Sequence, residues 1–480
     1  MALLGWDERT YMPQKGAANR AEQQSLLAGI AHEKFTSPET GDLLSEVETS
    51  DLIKDRLSPA AVNIREIRRA YDKRVKVPKT LVEEISRTTT LSEQAWIEAR
   101  KKSDFPTFSP WLTKMIDLKS QEAEAVGYEK EPYDALLDDY EPGETAVNIT
   151  RVFTDLRHDL VPLVEAIANS KKRPDLSIIE RDYPVDRQEI LGKTASAAIG
   201  FDYDGGRLDI TTHPFCTTIG TGDVRITTRF NQRHFGQAFF GILHETGHGL
   251  YEQGLEPQYR GMPMGDTISL GIHESQSRMW ENIIGRSKPF WKYFFPRVQK
   301  AFPEALGDVK LDDFYFAIND VRPSFIRVEA DEATYNLHIL LRFEIEHAIF
   351  NKELKTEDIP VVWNDKFKKY FGIRPPDDAR GCLQDVHWGA GLIGYFPTYT
   401  LGNLYSAQFF AKAREDLDNL DKQFERGQFD SLLGWLREKI HKHGQRYRAK
   451  ELIKEVTGKP LSHSYLIEYL KEKYSALYEI

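Results

Sequence analysis

The chain has 480 residues and, with 64 lysines and arginines against 74 aspartates and glutamates, a formal net charge of −10. That acidic balance excludes a nucleic-acid binder that works by neutralising phosphates, and 40% hydrophobic with 29% charged residues excludes an intrinsically disordered chain. Two cysteines, Cys216 and Cys382, exclude a disulfide scaffold and a four-thiolate zinc site, and they fit a reducing, cytoplasmic setting.

The opening stretch, MALLGWDERTYMP, places Asp7, Glu8 and Arg9 where a signal peptide needs an apolar core. No run of about 18 apolar residues follows, so no membrane span is expected. Residues 17–33 put Ala21, Leu26, Leu27 and Ile30 on one helical stripe. Ser37-Pro38 and Ser58-Pro59 are cap and first-turn pairs, the second opening a helix over 58–76. Further helical patterns cover 80–102, 107–126, 146–170 and 187–199. Residues 201–230 change character, being rich in Gly, Thr and β-branched residues. There Arg207–Thr212 and Asp223–Phe230 read as two strands of a small antiparallel sheet, a wall of a cleft. Helix resumes over 234–253, with Gly254 as the residue after its end, and over 266–284, 328–351, 355–371, 401–415, 429–443 and 462–476. Length alone allows roughly three domains. No Ser/Gly/Pro-rich linker and no repeat divides the chain. One mainly helical body over 1–480 is therefore expected, with a helical N-terminal lobe (1–200), a sheet and metal-site region (201–400) and C-terminal helices (401–480).

The segment AFFGILHETGHGLYEQG holds His244-Glu245-Thr246-Gly247-His248, an HExxH. On a helix, positions i and i+4 share a face, so both imidazoles can bind one Zn²⁺. Glu245 points elsewhere on the turn and can act as general base without taking a coordination position. A third protein ligand is needed. The extended form HExxHxxGxxH fails, because Tyr251 and Gly254 stand where it needs glycine and histidine. The remaining choice is a residue of a following helix, Glu274, with Glu281 and His273 as rivals there and Glu252, one turn after His248 on the same helix, as another. Arg225 pairing with Asp223, and Arg327 with Asp331 at i+4, are the plain structural readings of two further arginines in this half.

Six short motifs taken together resemble one family, the thermostable carboxypeptidases or carboxypeptidase Taq family of zinc metallocarboxypeptidases. The family pattern is HPF, DxRxT, HExxH, HES, IRxxAD and GxxQDxHW, in that order. Here His213–Phe215, Asp223–Thr227, His244–His248, His273–Ser275, Ile326–Asp331 and Gly381–Trp388 match it at every fixed letter. Trp6 to Pro13 also look like the family's N-terminal region, which a further stretch usually precedes.

The resemblance implies metal ligands His244, His248 and Glu274, with Glu245 as general base and acid. It implies zinc, replaceable by cobalt, a homodimer, and a fold similar to neurolysin and angiotensin-converting enzyme, two helical lobes around a deep groove. The expected reaction removes single C-terminal residues from peptides, with broad specificity. An oxyanion donor is needed, and His387, Tyr395 and Tyr399 are the choices, Tyr395 preferred. A free C-terminal carboxylate suits a planar arginine fork, so Arg327 and Arg225 are the expected carboxylate binders, Gln384 adds a neutral hydrogen bond, and His213 shapes the wall. Two other readings are a peptidyl-dipeptidase or oligopeptidase on the same architecture and a metal-free helical interaction protein.

Overall fold

The structure is a computed structural model and describes residues 1–480. The expected helices begin where local chemistry starts them. Ser37 and Ser58 each accept a backbone N–H through Oγ, from Thr40 and Ala61 at 3.3 Å, and open Pro38–Val47 and Pro59–Lys76 with proline in the first turn. Lys79–Lys102, Phe105–Val126, Ala146–Asn169 and Val185–Ala198 follow. One contiguous cluster of buried apolar side chains runs from Ala99 to Tyr478, so most of these helices share a core. The helix Ala17–Phe35 does not join it: Leu26, Leu27 and Ile30 are exposed. No helix is long and apolar enough to cross a membrane.

The sheet differs from expectation. It has three strands, β1 (Gly206–Ile210), β2 (Cys216–Gly220) and β3 (Asp223–Thr228), in the order β1-β3-β2, and it is mixed rather than antiparallel. β2 pairs antiparallel with β3, Cys216 opposite Ile226, and β1 pairs parallel with it, Gly206 opposite Val224. The segment read as a connection holds a strand of its own. Gly222, at φ +78°, reverses the chain after that strand. One reversal more turns an antiparallel pair into a parallel one.

Three helix boundaries also move. The helix Phe235–Gly254 includes Gly254, which is not a left-handed terminator: a Cβ there would meet His441 Nδ1 at 2.2 Å, so the residue is small to admit that ring. The pattern over 266–284 starts at Leu270, capped by Ser269, and its last turn, Met279–Ile284, is π-helical. The pattern over 328–351 becomes a single turn at Arg327–Glu329 and a helix at Thr334–Phe350. Asp331 stops it early by accepting from the amides of Ala333 and Thr334 at 2.9 Å, which also leaves Asp331 unavailable to Arg327. The helix Lys288–Ala301 escaped the pattern reading because Pro289 and Pro296 break its periodicity.

Candidate active site

The HExxH helix, Phe235–Gly254, is fixed by its apolar face. Phe235, Phe239, Ile242, Leu243 and Leu250 are buried, and its N-terminus is capped by His234 Nδ1, which accepts from the Gln237 amide at 3.2 Å. Across it lies the helix Leu270–Arg278, which carries Glu274. Two glycines set how closely the layers meet. A Cβ on Gly247, inside HExxH, would lie 2.6 Å from the Gln276 carbonyl oxygen. A Cβ on Gly402, on the helix Pro397–Asp416, would lie 2.7 Å from Glu274 Cβ. The Glu274 helix is thus packed closely between two glycine-lined surfaces.

The result is a three-donor cluster. Ligand atoms of His244, His248 and Glu274 all lie within 4.8 Å of one another. Glu274 Oε2 is 3.6 Å from His244 Nε2 and 3.5 Å from His248 Nε2. Each imidazole is turned by a partner on its other nitrogen. His244 Nδ1 meets Glu281 Oε2 at 2.9 Å, and His248 Nδ1 meets the His273 carbonyl at 3.1 Å. This is the arrangement that fixes tautomer and ring direction in metal-binding histidines. Arg278 holds both carboxylates, donating to Glu274 Oε1 at 2.7 Å and to Glu281 Oε2 at 3.1 Å. The three rival residues stand one layer out. Glu281 orients His244, while Glu252 Oε1 meets His273 Nε2 at 3.0 Å and its other oxygen accepts from Thr218 at 2.8 Å. His273 Nδ1 in turn lies 2.5 Å from His248 Nδ1. Two nitrogens and one carboxylate oxygen converging at this spacing fit a divalent cation.

Burial and charge tune the groups unequally. Burial pushes Glu245 up to about 7 and His248 down to about 3. Burial opposes charge on His244, but Glu274 and Glu281 outweigh it and hold that ring up to about 9. Burial would raise Glu281 too, yet Arg278 and His244 pull it down to about 2. Cys216 is half-buried, and burial, with Glu245 and Glu252 nearby, pushes its thiol up, so it is a neutral neighbour of the site.

A second cluster adjoins the first through Tyr335, which the sequence reading did not single out. The Arg278 guanidinium lies over the Tyr335 ring at 4.5 Å, and the Tyr335 hydroxyl accepts from Arg327 Nη1 at 3.0 Å. Arg327 Nε and Nη2 donate to Asp385 Oδ1 at 3.1 and 2.8 Å, and Arg342 donates to Asp385 Oδ2 from Nε at 2.7 Å and Nη2 at 2.5 Å. Gln384 serves the backbone here, its Oε1 accepting from the Arg327 amide at 2.8 Å and its Nε2 donating to the Phe325 carbonyl at 3.0 Å. Beside them, ring centroids of His387 and Tyr395 are 5.6 Å apart and those of Tyr395 and Tyr399 5.3 Å. Burial pushes His387 down to about 4, so its ring is neutral, and its buried Nδ1 has no partner.

Arg225 and His213 lie on the sheet side. Arg225 makes a paired contact with Asp223, Nε to Oδ1 at 2.7 Å, and stacks on Trp6 at 4.1 Å. His213 is exposed.

Comparison with known proteins gives the family. The family model described as carboxypeptidase Taq (M32) metallopeptidase matches residues 1–474. Thermostable carboxypeptidase 1 of Thermus thermophilus is 48% identical, over 99% of this chain and 95% of its own length. Carboxypeptidase 1 of Bacillus subtilis is 44% identical, over 100% and 95%. Among solved structures, the M32 carboxypeptidase from Deinococcus radiodurans superposes with a TM-score of 0.96 at 40% identity, covering 100% of this chain and 96% of that one. Metallocarboxypeptidase 1 of Trypanosoma cruzi superposes at 0.93 with 35% identity, over 98% and 95%. With its donor cluster, its motif order and its full-length likeness in agreement, this chain belongs to the carboxypeptidase Taq family of M32 metallopeptidases.

Proposed function

We propose that this metallocarboxypeptidase uses zinc, held by His244, His248 and Glu274, to remove single amino acids from the C-termini of peptides with broad specificity. The observation that carries the reading is the convergence of three ligand atoms within 4.8 Å, with each imidazole already oriented from behind. A bound divalent cation supplies Lewis acidity to the scissile carbonyl and to a water. Glu245 does the proton work: its buried carboxylate takes the proton that the attacking water releases and gives it to the departing amine. The carbonyl oxygen that gains charge takes a hydrogen bond from Tyr395, with His387 and Tyr399 in the same aromatic group.

Arg327 is the proposed partner of the substrate's C-terminal carboxylate. A guanidinium has five N–H donors, and the contacts to Asp385 and Tyr335 occupy three of them. Arg225, tied to Asp223, and Gln384, tied to backbone, act through the wall and the loop they stiffen. Arg327→Ala is expected to slow cleavage of free-acid peptides about tenfold or more, and an equal loss on C-terminally amidated peptides would remove Arg327 from this role. A homodimer would give the exposed Leu26, Leu27 and Ile30 a partner surface, and the two-lobed groove of the resemblance is the proposed path for the peptide.

The deciding experiment is a timed digest of a defined peptide followed by mass spectrometry, with and without chelator. A metal-dependent ladder of single C-terminal losses is expected. Losses in steps of two would sink the carboxypeptidase reading in favour of a peptidyl-dipeptidase.

A further inference from the structure

Glu141 is fully buried, at 0% exposure, and lies far from the HExxH helix in sequence. Its carboxylate sits on the first turn of the helix that carries Glu274. Oε1 accepts from the Ser269 hydroxyl at 3.0 Å and from the Tyr405 hydroxyl at 3.2 Å, and Oε2 accepts from the Gly271 amide at 3.0 Å. The preceding residue joins in, since the Tyr140 carbonyl accepts from the Leu270 amide at 3.0 Å. Ser269 Oγ accepts from the Ile272 amide at 3.1 Å. A helix start leaves its first amides without partners. Here residues 140–141 take those of Leu270 and Gly271, and Ser269 takes that of Ile272 while leaning on Glu141. The fit leaves no slack, because a Cβ on Gly271 would lie 2.5 Å from Glu141 Oε2.

We propose that Glu141 is a positioning residue for the metal site, fixing the axial position and rotation of the Leu270–Arg278 helix so that Glu274 meets His244 and His248. The inference rests on the cation-binding reading above. One turn separates Gly271 from Glu274, so a shift of the helix start passes directly to the ligand. Burial pushes Glu141 up to about 8, and glutamine keeps the reach of the neutral acid: its oxygen can accept from the Gly271 amide while its NH2 donates to the Ser269 and Tyr405 hydroxyls, which can turn to accept. Aspartate keeps the carboxylate but is one methylene too short to reach Ser269, Gly271 and Tyr405 together.

The test is the affinity of the metal-free protein for Zn²⁺, measured by competition with a chelating indicator, alongside thermal melts. Glu141→Asp is expected to bind zinc about tenfold more weakly than the parent, and Glu141→Gln to stay within about threefold of it. Ser269→Ala, which breaks the same tie from the helix side, is expected to cost about tenfold as well. It serves as the reading if Glu141→Asp does not fold. Unchanged zinc affinity in a folded Glu141→Asp or Ser269→Ala protein that merely melts earlier would reduce Glu141 to a structural tie and overturn the proposal. An equal loss in Glu141→Gln and Glu141→Asp would overturn it too, since reach would then not matter. A parent protein that bound no zinc would instead overturn the peptidase reading underneath, a result distinct from the other two.

Discussion

Two charged clusters lie on either side of Tyr335, and they are finished to different degrees. In the His244–His248–Glu274 cluster the outer atoms all have protein partners, while the inner ones face each other: His Nε2 atoms and a carboxylate oxygen at 3.5–3.6 Å. In the Arg327–Asp385–Arg342 cluster both oxygens of Asp385 are taken by guanidinium groups, and two cations against one carboxylate leave a net positive charge. The first is a shape that a cation completes. The second is buried and needs no added ion to hold its shape, and it holds Asp385 well below the usual carboxylate range in spite of burial, through Arg342 and then Arg327. A protein that must bind and release peptides gains from this division. One cluster offers ligand atoms to a cation, and the other fixes Arg327 with two of its five N–H groups unused.

Four substitutions would break or sharpen that contrast. The largest effect is expected at Glu245→Gln, which leaves the three proposed metal ligands in place and removes the proposed proton acceptor. Turnover should fall by about 10²–10⁴-fold with metal content unchanged by elemental analysis, and near-full activity would end the assignment. On the closed side, Asp385→Asn strands two buried guanidinium groups and should cost about 3–5 kcal/mol in a denaturant titration. A loss under about 1 kcal/mol would mean the cluster is more solvated than its burial indicates.

A third test uses pH. Glu346 is buried, accepts from Trp388 Nε1 at 2.7 Å and from the Gly394 amide at 3.1 Å, and so anchors the loop that bears His387 and Tyr395. Burial pushes it up to about 7, above its unfolded value of about 4.3. The folded state therefore binds this proton more tightly. Its stabilising contribution is fully present below about pH 4.3 and is lost as pH rises through about 7. Melting temperatures across that range should fall more steeply with pH in the parent than in Glu346→Gln, by an amount equivalent to about 3–4 kcal/mol. Parallel profiles would rule this carboxyl out as the source. The smallest effect is expected at Gly402→Ala, where the new methyl meets Glu274 Cγ at 2.6 Å. Overpacking should cost about 1–3 kcal/mol, and zinc affinity should fall with it. Loss of stability at constant affinity would show that Glu274 yields without leaving its position.

Much of this was legible in the residues alone, for a physical reason. A helix repeats every 3.6 residues, so His244 and His248 must share a face, and Ser58 before Pro59 must start a turn, whatever surrounds them. Motif order was equally local, and it carried the family likeness. The sheet was misread because a strand, Cys216–Gly220, lay in a segment read as connection, and pairing direction depends on the number of chain reversals.

What the sequence determined by itself is therefore the chemistry on offer: two imidazoles in register, a neighbouring carboxylate, and a set of charged letters in a telling order. Tertiary structure decided how those letters are spent. Along the chain Glu274 had Glu281, Glu252 and His273 as rivals. The crossing of two helices at Gly247 and Gly402 sorts them into one inner carboxylate and three outer supports. Arg327 passed over Asp331, four residues away, for Asp385, 58 residues away, because Asp331 was already holding a helix start. Interactions within one turn are set by backbone geometry, whereas contacts between distant segments exist only once packing has brought the segments together.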